Sequence, residues 1–298
     1  MRIVLLGKNG QVGHALQRAL LPLGPVCAFG REECDLVDPA LLASTLRRVN
    51  PQVIVNAAAY TAVDKAESEQ DTARRINTDA VAEIAEFARE TGALLVHYST
   101  DYVFDGQKHG PYIESDIPHP QNFYGATKLA GEVAIIASGC DALIFRTSWV
   151  FSNHGGNFLK TMLRLARDRE TLNVVADQHG TPTSAELIAD VTLLAIAAQR
   201  QGRLNNGVYH MTAAGSTSWH GFAKHIIGRA RANGAALKLT PDNIRAISTA
   251  EYPTAAQRPK NSTLSTAALK HALGVELPDW TSHANRAIDQ LTKLETPT

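Results

Sequence analysis

Residues 2–13, RIVLLGKNGQVG, decide the fold of this chain of 298 residues. Branched apolar side chains at 3–6 are typical of a buried strand, and a glycine-rich turn and a helical spacing of leucines follow them. Glycine lets the backbone approach a pyrophosphate closely, and the amino terminus of the next helix attracts the anion. We therefore expect a dinucleotide to contact this loop at Gly7, Gly10, Gln11, Val12 and Gly13.

The end of the second predicted strand, 25–29, indicates which dinucleotide binds. Arg31 stands just after it, and arginine forms charge-assisted hydrogen bonds with the 2′-phosphate of NADPH. Two alternatives are open: Glu32 or Glu33 accepts a hydrogen bond from the ribose of NADH, or Arg31 is a solvated surface charge. We predict NADPH, with NADH possible. In the same loop we expect cofactor contacts from Asp35 and Leu36.

Small side chains follow the third predicted strand, 53–55. In an open parallel sheet the ligand lies beyond the carboxyl ends of the strands, and small residues there leave room for it. Close packing of the strand on a helix is the alternative explanation. We expect the dinucleotide path to be lined by Ala57, Ala58, Ala59 and Thr61.

Predicted strands and helices alternate through residue 150, with further strands at 93–98 and 142–145. This alternation predicts an α/β, Rossmann-type, doubly wound parallel sheet. Beyond it the segments are shorter and richer in loops. We predict an NADP-binding domain over 1–150 and a second, mainly substrate-binding domain over 151–298, with parts of 157–176 and 218–234 returning to the first.

Three polar residues flank the fourth predicted strand and the helix after it. Tyr124 and Lys128 are four residues apart and so lie on one helix face, where an ammonium lowers the pKa of a nearby phenol. Thr100, at the end of the strand, offers a hydroxyl to the same substrate carbonyl. Such a pair also occurs by chance on many helices. Beside a dinucleotide site, however, it predicts proton transfer to a ketone.

Composition narrows the class of partner. Lys plus Arg and Asp plus Glu both number 29, so the formal net charge is zero and no global field favours nucleic acid or a membrane surface. Cys27, Cys34 and Cys140 are scattered, and no histidine spacing is typical of a metal site. No run approaches the ~18 apolar residues of a spanning helix. We expect a cytoplasmic protein with a small-molecule substrate and no metal.

The chain resembles the dTDP-4-dehydrorhamnose reductase family of the extended short-chain dehydrogenase/reductase superfamily. The motifs that carry the resemblance occur in the family's order over nearly the whole chain: GKNGQVG, VIVNAAAYTAVDKAE, HYSTDYVFDG, YGATKLAGE, FRTSWVF, DQHGTPT and RPKNSTL. The resemblance implies an NADPH-dependent oxidoreductase of dTDP-rhamnose biosynthesis. Its reaction would be hydride transfer to the 4-keto group of dTDP-4-dehydro-L-rhamnose, a dTDP-linked 4-keto-6-deoxy sugar, which gives dTDP-L-rhamnose.

The resemblance also implies roles for single residues. Tyr124 would protonate the developing alkoxide, Lys128 would hold the nicotinamide ribose, and Thr100 would orient the carbonyl. Arg258 would pair with the diphosphate, although a surface ion pair is the alternative. Trp149 would contact the sugar, although ordinary core packing is the alternative. The full set of expected substrate contacts is Val63, Thr100, Asp101, Tyr102, Trp149, Asn157, Arg258 and Asn261.

Departures from related enzymes limit the resemblance. Related dehydratases have Thr-Asp-Glu after the fourth strand, whereas this chain has Tyr102 in place of the glutamate, which favours a simple reductase. Some family members are magnesium-bridged dimers, but Ala15 and either Asp289 or Gln290 stand at two of the bridging places and only Glu186 is retained. Monomer and homodimer are both open. The alternative functions are another nucleotide-sugar reductase or epimerase, and a non-catalytic NADP-binding regulatory subunit.

Overall fold

The computed structural model describes residues 1–293, so 294–298, the end of the predicted second domain, lie outside it. In chain order the elements are β1 (Ile3–Leu6), α1 (Gln11–Ala19), β2 (Val26–Phe29), α2 (Pro39–Val49), β3 (Val53–Asn56), α3 (Val63–Ala66), α4 (Gln70–Arg74), α5 (Ala80–Thr91), β4 (Leu94–Thr100), α6 (Phe123–Ser138), β5 (Ala142–Thr147), β6 (Val150–Phe151), α7 (Phe158–Asp168), β7 (Leu172–Val175), β8 (His179–Gly180), β9 (Thr183–Ser184), α8 (Ala185–Arg200), β10 (Gly207–His210), β11 (Thr217–Ser218), α9 (Trp219–Ala232), β12 (Ile244–Ile247), α10 (Ala267–Leu273) and α11 (Trp280–Lys293).

Six parallel strands form the central sheet in the order β10-β5-β4-β3-β1-β2. The chain order reverses between β1 and β3, and a crevice for a ligand opens at such a point beyond the carboxyl ends of the strands. The predicted α/β class with a doubly wound parallel sheet is confirmed. Three two-stranded sheets, β11-β8, β12-β7 and β6-β9, lie outside the central one.

Alternate residues of the central strands enter two separate cores. Ile3 and Leu5 of β1 face the core that contains residues of α1, α7, α8 and α9, whereas Val4 and Leu6 face the core that contains residues of α2, α5 and α6. Successive side chains of a strand point to opposite faces, so an apolar run is what a sheet covered on both sides requires. The RIVLL run therefore reflects burial on two faces.

Two segments differ from the sequence expectation. The sixth strand, β10, comes from 207–210, well beyond the predicted domain boundary at residue 150. The apolar spacing over 71–91 predicts one continuous helix, but a π-helical turn at Arg75–Asp79 interrupts it, and inside this turn Asn77 is buried and bonded to Tyr60 and Thr127. A π-turn inside a helix re-aims a side chain, and here it directs Asn77 towards the loop after β3. The division into two domains stays a prediction.

Residues 1–293 contain no helix long and apolar enough to cross a membrane. Over the same residues, no three His, Cys, Asp or Glu side chains converge as ligands of one metal ion.

Candidate active site

Two glycines of the loop between β1 and α1 stand where the surrounding backbone admits no side chain. Gly7 has φ +85°, and a Cβ on it would lie 2.6 Å from the backbone nitrogen of Ala58. A Cβ on Gly13 would lie 2.0 Å from the carbonyl oxygen of Gly7. At Gly10 the nearest atom would be 3.4 Å away, which is ordinary contact. Gly7 and Gly13 are thus required by packing of the protein itself.

Gly10 also caps α1 without any side-chain hydrogen bond. The first N–H groups of the helix point out of its end, where the partial positive charge of the helix dipole attracts an anion. Together with the small residues Ala57 to Ala59 after β3, this cradle fits the pyrophosphate of a dinucleotide. Val12 packs against the core below, and Thr61 is exposed beyond the alanines.

Arg31 lies on the surface after β2, with 78% of its side chain exposed. Its Nε donates to Asp35 over 3.1 Å. Glu33, the alternative ribose ligand, accepts from the backbone N–H of Gly30 over 2.6 Å and pairs with Lys8, and these bonds lower the pKa of its carboxyl. Arg31 is therefore freer than Glu33 to meet a ligand. Leu36 is buried in the core of α2 and α5.

The amino terminus of α6 packs directly on the turn that follows β4. A Cβ on Gly125 would lie 2.2 Å from the carbonyl oxygen of Tyr102, so only glycine allows this approach. Asn122 caps the helix by accepting from the N–H of Gly125 over 2.7 Å. As a result the rings of Tyr102 and Tyr124 meet edge to face, with centroids 5.8 Å apart. The motif YGATK thus brings its tyrosine to the end of β4.

Tyr124 keeps its proton over a wide pH range. Desolvation raises the pKa of its phenol to about 12, the negative charge of Asp101 adds to this, and a hydrogen bond with Thr100 opposes it. The expectation that Lys128 lowers this pKa differs from the arrangement found. The Lys128 amine is directed at β4, where it donates to the carbonyl of Tyr98 over 2.6 Å and lies 3.1 Å from Nε2 of His97.

Lys128 itself is 2% exposed, and burial lowers the pKa of its amine to about 8 although the charge of Glu132 opposes the shift. Glu132 is held by a buried ion pair with Arg146. The lysine is therefore a group that exchanges protons near neutral pH. No local pattern indicates its contact with His97, because that contact joins a strand and a helix 31 positions apart.

Asp101 is a buried carboxyl next to Thr100. Its Oδ1 accepts from the Thr100 hydroxyl over 2.9 Å and its Oδ2 accepts from Ser148 over 3.3 Å. Burial raises the pKa of Asp101 to about 6, although hydrogen bonds from Ser262, Thr100 and Ser148 favour the ionised form. Thr100, Asp101 and Tyr124 thus form one coupled polar group at the carboxyl end of β4.

Trp149, two residues after β5, belongs to a cluster of aromatic side chains. Its backbone has φ +48°, which is uncommon for a residue with a bulky side chain. The indole stacks on Trp219 with ring centroids 3.5 Å apart and lies over Gly180, where a Cβ would be only 2.5 Å from the ring. Trp219 is a residue that the sequence pattern missed, since it opens α9, 70 residues further on in the chain.

Three of the expected substrate contacts already have partners in the protein. Arg258 binds both carboxylate oxygens of Asp64 at 3.2 and 2.7 Å, and this bond lowers the pKa of Asp64. Asn157 caps α7 and donates to Gln11 over 2.9 Å. Asn261 donates to the carbonyls at 108 and 110. Val63 begins α3, next to Asp64. The roles of all these residues towards substrate stay predictions.

The parallel sheet has a glycine loop at its reversal point, a threonine at the end of β4, and a tyrosine and a lysine beyond that strand. These features define a Rossmann-type protein of the extended short-chain dehydrogenase/reductase class. The chain belongs to the family described as RmlD substrate binding domain, whose pattern matches residues 1–293. The resemblance inferred from the motifs is confirmed.

Relatives and solved structures support the same family membership. The chain is 52% identical over 284 residues to a dTDP-4-dehydrorhamnose reductase of Burkholderia thailandensis, covering 94% of this chain and 95% of the relative. It is 48% identical to that of Salmonella typhimurium, with 98% of both chains covered. Among solved structures, a dTDP-4-dehydrorhamnose reductase of Bacillus anthracis in complex with NADP matches with a TM-score of 0.87 and 36% identity, covering 97% of this chain and 99% of that one.

Proposed function

We propose that this chain is an NADPH-dependent reductase that converts dTDP-4-dehydro-L-rhamnose to dTDP-L-rhamnose. The observation that carries the proposal is the group of Thr100, Tyr124 and Lys128 beyond β4, beside a glycine cradle, in a chain 48–52% identical to dTDP-4-dehydrorhamnose reductases. NADPH supplies the hydride. The protein's part is to hold the ketone in place and deliver one proton to its oxygen.

Tyr124 is the proton donor in this proposal. Its raised pKa keeps the phenol protonated at neutral pH, so it gives up the proton only as negative charge develops on the ketone oxygen. Thr100 positions the same oxygen. Lys128 stabilises the charge left near Tyr124 and binds the cofactor ribose. Trp149 and Tyr102 contact the sugar ring, and Arg258 exchanges part of its bond with Asp64 for the diphosphate.

NADPH is favoured over NADH because Arg31 is exposed at the end of β2 whereas Glu33 is already bound by Gly30 and Lys8. We also place the protein in the cytoplasm, where a reducing environment suits its three free cysteines.

The test is the loss of nicotinamide absorbance when purified protein is mixed with NADPH and the dTDP-linked keto sugar. We expect one NADPH oxidised per sugar reduced, slower reaction with NADH, and slower reaction with keto sugars on other nucleotides. Tight binding of NADPH without turnover on any keto sugar would show a non-catalytic subunit. Conversion of sugar without net NADPH consumption would show an epimerase.

A further inference from the structure

A chain of buried hydrogen bonds leads from the end of β3 to the Lys128 amine. Asn56, His97 and Lys128 are 1%, 0% and 2% exposed. Asn56 Nδ2 lies 3.3 Å from His97 Nδ1, and His97 Nε2 lies 3.1 Å from Lys128 Nζ. The reaction proposed above gives His97 no role, and yet this imidazole is the side chain that contacts the lysine amine most directly.

Asn56 sets the donor-to-acceptor direction along this row of hydrogen bonds. The backbone N–H of Ala58 donates to Asn56 Oδ1 over 3.2 Å, and a backbone N–H can only donate, so the amide NH2 of Asn56 faces His97. His97 Nδ1 is consequently the acceptor. A neutral imidazole has one donor and one acceptor nitrogen, so Nε2 carries the hydrogen and points it at Lys128.

His97 stays neutral in this position. Burial lowers the pKa of its imidazole well below the ordinary value, and a positive charge on Lys128, when it is present, acts in the same direction. Protonation of both nitrogens would also place an N–H donor against the NH2 of Asn56, which is itself a donor, and a second N–H against Lys128.

An N–H donor facing Nζ matches the neutral amine of Lys128, whose lone pair accepts the hydrogen. The amine then donates to the Tyr98 carbonyl, 2.6 Å away, and every group in the chain has a partner. An ammonium has no lone pair, so it needs the other tautomer of His97, which puts an N–H against the NH2 of Asn56. Burial, opposed by the charge of Glu132, brings the pKa of Lys128 to about 8, and an N–H of His97 pointing at Nζ acts in the same direction as burial.

The charged group on the other side of Lys128 is Glu132, which lies one turn further along α6 and favours the ammonium. Its carboxylate accepts from Arg146 at 2.6 Å and from Ser99, so much of its charge is compensated locally. From β4 the facing titratable group is His97. Glu132 therefore opposes the neutral amine that the hydrogen-bond direction at His97 favours. Its effect is reduced because Arg146 and Ser99 already compensate much of its charge.

We propose that His97 is a positioning residue which, with Asn56, holds Lys128 as the neutral amine at neutral pH in the protein without cofactor. Binding of a ribose hydroxyl at Nζ then favours the ammonium: Lys128 takes up one proton from solvent, the imidazole hydrogen moves from Nε2 to Nδ1, and the Asn56 amide turns over and gives up its hydrogen bond from the Ala58 N–H. The hydrogen-bond direction is independent of the proposed reaction, and only its consequence for turnover rests on that function.

The test is the tautomer of His97 in protein labelled with 15N-histidine, read near neutral pH by long-range proton–nitrogen correlation. We expect a protonated Nε2 and an unprotonated Nδ1. A protonated Nδ1, alone or together with Nε2, would overturn the proposal. His97→Gln assigns the signal, and His271→Gln, at an exposed position on α10, is the matched control. If His97→Gln does not fold, a nuclear Overhauser contact with the Lys128 side chain assigns the signal instead.

Kinetics give a second readout. A glutamine can turn its amide oxygen to Nζ and so favour the ammonium, and we expect His97→Gln to raise the affinity of Lys128 for a proton by about tenfold. The basic limb of kcat/KM for NADPH against pH, which reports the free enzyme, then moves up by about one pH unit, while His271→Gln leaves it unchanged. An unmoved limb in folded His97→Gln contradicts the proposal. A wild-type protein without reductase activity would instead refute the proposed function, and the tautomer would still be measurable.

Discussion

The hydroxyl of Thr100 donates its hydrogen to Oδ1 of Asp101 over 2.9 Å, so the carboxylate sets the orientation of this hydroxyl. Burial of Asp101 raises the pKa of its carboxyl from the ordinary 3.8 to about 6. A carboxyl whose pKa rises on folding destabilises the native state once it ionises. The destabilisation begins as pH rises above about 4 and is complete above about 6.

Asp101→Asn removes this penalty. We expect the variant to be more stable than the native protein near neutral pH, by up to about 3 kcal/mol, and no more stable near pH 4. Urea unfolding at the two pH values measures the difference. An unchanged or larger gain at the lower pH would contradict the pKa assignment. Turnover should fall, because Thr100 loses the carboxylate that orients it.

Tyr124→Phe should lower kcat by roughly two to four orders of magnitude, the usual range for a positioned acid. The ring and its edge contact with Tyr102 remain, so NADPH affinity should change little. Turnover with saturating keto sugar and direct cofactor titration measure the two effects. Near-native turnover would remove Tyr124 from the proton-donor role.

Gly13→Ala and Gly10→Ala form a matched pair in the glycine loop. A Cβ at Gly13 would lie 2.0 Å from the Gly7 carbonyl oxygen, whereas at Gly10 the nearest atom is 3.4 Å away. We expect Gly13→Ala to cost about 1–3 kcal/mol of unfolding free energy and to weaken NADPH binding. Gly10→Ala should leave the thermal midpoint nearly unchanged. Any loss of NADPH affinity in this variant would come from contact between the added methyl group and the ligand. Equal destabilisation by both variants would argue against this packing.

Arg31→Ala should weaken NADPH much more than NADH, because only NADPH carries the 2′-phosphate. Arg47→Ala, at an exposed position on α2, is the control for a general change of charge. Dissociation constants for both coenzymes are the measurement. An equal loss for both would mean that Arg31 does not contact the phosphate.

Arg258 and Asp64 separate a substrate role from a structural one. If Arg258 binds the diphosphate, Arg258→Gln raises KM for the keto sugar by about tenfold or more, whereas Asp64→Asn, which leaves the guanidinium in place, raises it much less. If the pair only joins α3 to the segment around 258, both variants should lose stability alike and leave KM unchanged. Steady-state kinetics with thermal unfolding distinguishes these outcomes.

Sequence patterns were sufficient where the signal is local. The apolar run at 3–6 and the spaced glycines predicted β1, the loop and α1, because burial on two faces and a tight turn limit the residues that can stand there. The helix Pro39–Val49 likewise has local signals at its start, since Asp38 caps it and proline begins it.

The sequence by itself thus determined the parallel sheet, the glycine loop after β1 and the position of Tyr124 and Lys128 on one helix, since each depends on patterns local to single elements. Only the tertiary structure decided that β10 completes the sheet, that Trp219 stacks on Trp149, and that the Lys128 amine meets His97 rather than the phenol of Tyr124. These relationships join residues distant in the chain, and the direction and burial of each side chain follow from the packing of several elements at once.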